Sequence, residues 1–232
     1  VTTTLTVPAE PPATGDLIVW PGLVPADTTG NTTFLPINEG ILQTVLTWGS
    51  TCAPGTQPTP YSTWWVSAQY NNELGSQAGY TGCQGGPIMS VNPGDSLVET
   101  LTLDGTTWNE QIADQTTSQS VSFPIDLEGQ TQNVLFFLID GLGQNLASPV
   151  TFTNTTFTTS TPFTSASQCE LATAATYEND TQSTPTLNGN TCSIASITLL
   201  PAASPVPALR THAPASAARF PAPVLPGRLP AR

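Results

Sequence analysis

Leu97-Val98-Glu99-Thr100-Leu101-Thr102-Leu103-Asp104-Gly105-Thr106-Thr107-Trp108-Asn109-Glu110-Gln111-Ile112 reads as a β-hairpin. Two strand-like runs meet at Asp104-Gly105, a dipeptide that accepts the positive φ angles of a type I′ turn. Pro93-Gly94-Asp95 introduces the first of them. Outward from this hairpin, short alternating or β-branched runs recur between Gly, Pro, Asn and Asp, and long stretches of helical period do not. The predicted strands are Thr3–Val7, Leu17–Trp20, Ile41–Trp48, Thr63–Tyr70, Ser96–Leu103, Thr106–Ile112, Ser120–Ile125, Val134–Asp140, Val150–Thr158 and Cys192–Leu200. Ten strands at this spacing, with large loops between them, predict an all-β antiparallel sandwich.

The 232 residues include 16 Asp+Glu and 4 Lys+Arg, with charged residues only 9% of the chain. There is no Lys, and Arg210, Arg219, Arg228, Arg232 and the single His212 all lie near the C-terminal end. Residues 1–209 thus hold sixteen acids and no basic side chain. Nucleic-acid binding needs cations to neutralise phosphates, and attachment to an anionic membrane needs them too, so neither partner fits. Catalysis through a His base, a Lys Schiff base or an Arg clamp is excluded from this body. Sixteen like charges repel at neutral pH, and protonation near about pH 3–4 relieves them, so the composition suits an acidic medium.

Cys52, Cys83, Cys169 and Cys192 are even in number and lack metal-type spacing. No metal and no cofactor is expected, and two disulfides in an oxidising compartment are. Of three connectivities, nearest-neighbour pairing, Cys52–Cys83 and Cys169–Cys192, is the one expected. Asn31, Asn154 and Asn179 each head an Asn-x-Thr sequon compatible with glycosylation. No apolar run is long enough for a transmembrane helix. The chain opens directly on strand-like sequence, which predicts a processed or truncated N-terminus and a secreted, extracellular, monomeric protein. Residues 1–200 are expected to form the sandwich domain. Residues 201–232, with eight Pro, nine Ala and every basic residue, are expected to be a disordered tail.

Several segments carry a resemblance, in order, through most of residues 1–200. They are Thr2-Thr3-Thr4-Leu5-Thr6-Val7-Pro8, Leu17-Ile18-Val19-Trp20-Pro21-Gly22-Leu23, Gly40-Ile41-Leu42-Gln43-Thr44 leading to Trp48, Thr63-Trp64-Trp65, Val91-Asn92-Pro93-Gly94-Asp95-Ser96-Leu97 and Val150-Thr151-Phe152-Thr153-Asn154. Together they resemble the fungal glutamic peptidases (eqolisins), acid-active secreted endopeptidases with a concanavalin A-like β-sandwich. The resemblance implies that Gln43 is the catalytic glutamine and that polypeptide is the substrate. It also implies that Trp20, Trp48, Trp64 and Trp65 line the cleft. The family's catalytic glutamate falls at Asp140, in Leu135-Phe136-Phe137-Leu138-Ile139-Asp140, and an acid normally following the Trp pair is Val66 here.

The chemistry stands on its own. Acid hydrolysis of a peptide without His or metal needs a carboxylate to activate water and protonate the leaving amine, and a donor for the oxyanion. Alternation puts Gln43 on one face with Ile41 and Val45, and Asp140 on one face with Val134, Phe136 and Leu138. Both are expected on the inner faces, converging on one groove. Asp for Glu shortens the reach by about 1.2–1.5 Å, and misplacement by about 1 Å can cost about 100-fold in rate. Competing readings make Gln43 a strand residue satisfying a backbone group, Asp140-Gly141 the start of a turn, and the tryptophans core. They lead to a catalytically silent, carbohydrate-binding (lectin-like) sandwich. A glycoside hydrolase, requiring two carboxylates across the scissile bond, lacks the Glu-x-Asp-x-Glu strand and ranks last.

Overall fold

The computed structural model describes residues 1–11, 15–25, 40–72, 77–142, 148–169, 181–200 and 217–219. In chain order the strands are β1 (Thr2–Thr6), β2 (Asp16–Val24), β3 (Ile41–Trp48), β4 (Trp64–Asn72), β5 (Gly82–Gly85), β6 (Met89–Val91), β7 (Ser96–Asp104) and β8 (Thr107–Asp114). They continue with β9 (Gln119–Asp126), β10 (Val134–Leu142), β11 (Val150–Thr158), β12 (Thr181–Gln182), β13 (Thr186–Asn188), β14 (Thr191–Leu199) and β15 (Ala217–Arg219). A single 3₁₀ turn, Ala166–Cys169, is the one helical element described. All ten expected strands are present.

Two antiparallel sheets face each other. The first runs β12-β14-β11-β1-β7-β8-β9, with β13 also on β14; the second runs β15-β10-β2-β3-β4-β5, with β6 also on β4. The core between them takes alternate residues from both. Leu5, Leu97, Leu101, Ile112, Phe152 and Ile197 come from the first sheet, and Leu17, Val19, Leu42, Leu46, Val66 and Phe137 from the second. Each such side chain contributes about 1.5–3 kcal/mol relative to exposure. Phe137 and Phe152 join the layers directly, with ring centroids 4.8 Å apart.

The hairpin forms with one change. Asp104 pairs with Thr107, so the turn residues are Gly105 and Thr106. Gly105 has φ +63° and Thr106 does not share the positive region, the pattern of type II′ rather than I′. Asn92-Pro93-Gly94-Asp95 closes as a type II turn, with φ +90° at Gly94 and Asp95 N–H donating to the Asn92 carbonyl at 3.0 Å. β2 continues four residues past its expected end. Pro21 has no N–H to give, and the pairing of β2 with β3 skips Trp20 and Pro21 before resuming at Gly22. The partner on the other side, β10, stays in register throughout.

Both disulfides pair as expected, Cys52 with Cys83 and Cys169 with Cys192, consistent with an extracellular protein. Within the expected disordered tail, Ala217–Arg219 instead forms a strand beside β10; the remainder of 201–232 lies outside the described residues, as do Asn31 and Asn179. Asn154 is exposed, with φ +52° where β11 shifts register against β1.

Candidate active site

Side-chain alternation gives the second sheet two faces. Its inner face holds Trp48, Trp64, Val66 and Tyr70 in the inter-sheet core. Its outer face carries a second apolar cluster: Trp20, Ile41, Val45, Val134 and Phe136, with Ile18, Val24 and Leu138 packed against it. Gln43 and Asp140 belong to this outer face, sharing it with the apolar neighbours expected for each. The face itself is the correction: both lie outside the sandwich, not within it.

Cross-strand register sorts that face into rows. One row runs Phe136, Gly22, Gln43, Gln69, Gly85 across β10, β2, β3, β4 and β5. Asp140 belongs to another, running Asp140, Ile18, Thr47, Trp65, Ser90. Four residues along a strand is about 13 Å, and two strands across is about 10 Å. The two side chains therefore do not meet. Asp140 lies four positions along β10 from Phe136, the β10 residue in the glutamine's row.

Gln43 is 6% exposed. Its Nε2 donates to Gln69 Oε1 at 3.5 Å, and Gln69 Nε2 donates to Ser67 Oγ at 2.5 Å. Cys83 Sγ, without a proton in its disulfide, touches Gln69 Oε1 at 3.6 Å. The loop tied down by Cys52 covers this flank: Trp65 Nε1 donates to the Gly49 carbonyl at 3.1 Å, and Pro54 lies over Gly85. On the other side Gly22 is buried under the Trp20 indole. A Cβ there would stand 2.5 Å from Trp20 Cζ3, because the indole folds back across the glycine. Trp20 meets Phe136 edge-on, with centroids 5.0 Å apart. Beyond them the face opens through half-buried Ile18, Val24 and Leu138 to exposed Asp140.

The tryptophans divide. Trp48 and Trp64 are inner-face core residues in mutual contact at 5.5 Å, so neither is a cleft platform. Trp65 is on the outer face but buried beneath the Cys52 loop. Trp20 alone of the four borders the Gln43 row.

Two acids were missed. Glu99 on β7 and Glu110 on β8 project into the inter-sheet core, 1% and 0% exposed. Burial pushes both carboxyls well above the ordinary range; a hydrogen bond from Thr44 opposes this at Glu99, and the backbone amides of Gln43 and Gln69 oppose it at Glu110. Thr44 Oγ1 donates to Glu99 Oε2 at 3.3 Å, while Glu99 Oε1 and both Glu110 oxygens have no partner of good hydrogen-bond geometry. The signal was in the hairpin: Glu99 alternates with Leu97 and Leu101, and Glu110 with Trp108 and Ile112. Among the described residues no group of His, Cys, Asp and Glu is gathered as metal ligands require.

No family model matches this chain, and no curated protein does. Among solved structures it is similar to scytalido-glutamic peptidase, crystallised with a transition state analog inhibitor. The identity is 16%, covering 84% of this chain and 90% of that one, with a TM-score of 0.45. At that identity the likeness concerns the sandwich and assigns no residue its role.

Proposed function

We propose that this chain is a secreted, acid-adapted, glutamic-peptidase-like β-sandwich that takes extended polypeptide across the outer face of its second sheet. The observation that carries this is the Gln43 amide. It stands beside the apolar cluster of that face, tethered by Gln69 and next to Gly22, which the Trp20 indole covers. A main-chain carbonyl brought to Gln43, with the Trp20 indole swung off Gly22, would accept a hydrogen bond from its amide, and aliphatic side chains would lie on half-buried Ile18 and Leu138. Such an amide is the donor type that stabilises an oxyanion.

Cleavage requires a carboxylate in the same row, and the row carries Phe136 on β10 instead. Asp140, two strands and four residues away, cannot act on a carbonyl held by Gln43. The face therefore binds polypeptide without efficient hydrolysis. The apolar lining also favours polypeptide over glycan, since sugar sites stack on open aromatic faces and Trp48, Trp64 and Trp65 are buried. Two disulfides support the oxidising compartment. The test is capture of denatured, disulfide-free casein by the immobilised protein at about pH 3–4, where most carboxylates are protonated. Capture by wild type, lost in Gln43→Ala, supports the reading. Equal capture by both, or selective retention of oligosaccharide, overturns it.

A further inference from the structure

Glu99 and Glu110 sit on adjacent strands in diagonal register, Glu99 opposite Ile112 and Glu110 opposite Leu101. Diagonal neighbours on one face have Cβ atoms within about 7–8 Å. Both side chains point at the second sheet, Glu99 against Thr44 and Glu110 against the backbone of Gln43 and Gln69. What faces them contains no cation. β3 presents Leu42, Thr44 and Leu46. β4 presents Val66, Ala68 and Tyr70, whose phenol burial pushes up to about 12 and keeps neutral. β7 adds Leu97 and Leu101, β8 adds Trp108, Ile112 and, farther along, Asp114, and β9 adds Val121 and Ile125. The Val1 nitrogen donates to the Leu101 carbonyl at 2.8 Å, not to either carboxyl. Residues 1–209 contain no Lys, Arg or His to supply a counter-ion. A carboxylate with so few donors and no cation in such a place is costly, and a neutral carboxylic acid is tolerated.

We propose that Glu99 and Glu110 form a proton-operated lock between the two sheets, closed when both carry their protons and forced open when they lose them. Glu110 meets the backbone of Gln43 and Gln69 from the inner side, directly behind the amides on the outer face. Opening the lock therefore disorders the row that receives polypeptide. This second consequence rests on the reading of Gln43 above; the lock itself does not. The protein would hold its ligand in an acidic medium and release it, together with its fold, as the medium is neutralised.

The direction follows from linkage. A carboxyl held above its unfolded value keeps its proton in the native state after the unfolded chain has lost it. Its stabilisation is complete below the ordinary value of 4.5 and drains away as pH rises toward the native value. Two such groups make the unfolding constant grow by up to about 100-fold per pH unit above that point, and one by about tenfold.

The experiment is urea unfolding of the full chain, without polypeptide, at steps from about pH 3 to about pH 7, for wild type, Glu99→Gln, Glu110→Gln and the double variant. Repulsion among surface acids affects all four equally, so the difference in pH slope is the readout. The lock predicts that each substitution removes about one proton from the slope and the double variant about two. A double variant with the wild-type slope overturns it. If the variants fail to fold, infrared spectra of wild type at about pH 6, above the ordinary carboxyl range, decide instead. A carbonyl band from protonated carboxyls slow to exchange into deuterium supports the lock, and its absence contradicts it. Loss of capture in Gln43→Ala plays no part in this slope, so either proposal can fail alone.

Discussion

Gln43 and Asp140 share a face but not a row: Asp140 aligns through Ile18 with Thr47, while Gln43 aligns through Gly22 with Phe136. The amide is thereby separated from the acid that acid hydrolysis would need. The missing position is specific, and so is the remedy. In Phe136→Glu a carboxyl enters the row of Gln43, on the far side of Gly22, once the Trp20 ring that packs there gives way. Appearance of casein fragments at about pH 3–4, where general acid–base catalysis is worth about 10²–10⁴-fold, is the expected outcome. Fragments should vanish again in Phe136→Glu/Gln43→Ala.

Gly22 is covered by the Trp20 indole. Gly22→Ala puts a Cβ 2.5 Å and 2.9 Å from the Trp20 ring and 3.3 Å from Ile41 Cγ2. Part of the indole must move off Phe136. Overpacking of this kind costs about 1–3 kcal/mol, readable as a lower urea midpoint. Capture of polypeptide should fall with it, because the displaced indole crowds the row that Gln43 shares.

Gln43→Ala leaves the sandwich standing. It breaks one long hydrogen bond to Gln69, so the loss in stability is about 1 kcal/mol. A midpoint shift of that size with capture abolished separates a binding role from a structural one. A collapse of the fold would make Gln43 a core residue first.

The Cys52–Cys83 bridge spans 31 residues and the Cys169–Cys192 bridge 23. Loop-closure entropy assigns each about 3–4 kcal/mol. Reduction of both should therefore lower the urea midpoint at acidic pH more than any single side-chain change above. The Cys52→Ser/Cys83→Ser variant should additionally open Trp65 to quenchers, because the loop that covers it is released.

Much of this was legible before any coordinates. Alternation marks strands, and strands with period two could be read one by one, including which residues share a face. The short β5, Gly82-Cys83-Gln84-Gly85, carries no alternation and could not be read; it exists because β4 offers an edge and Cys83 is tethered. Pro21 looked like a stop, yet β2 runs through it with β10 intact on its other side. The site was half legible for the same reason. Period two fixes which neighbours share a face with Gln43 and with Asp140, but neither whether that face is the inner or the outer one nor how far β10 slides against β3, and that slide decides which residue meets the amide. Glu99 and Glu110 were legible and passed over: each occupies an apolar slot of the opening hairpin, where an acid conflicts with the pattern.

The central claim is tested most directly by one sample: fluorescently labelled, denatured casein mixed with the protein at about pH 3.5, near the ordinary carboxyl range. Anisotropy follows binding and gel electrophoresis follows cleavage. The account predicts raised anisotropy for wild type, none for Gln43→Ala, and casein intact in both. Casein cut by wild type, with the cutting lost in both Gln43→Ala and Asp140→Asn, would contradict it and make the two distant residues partners in catalysis.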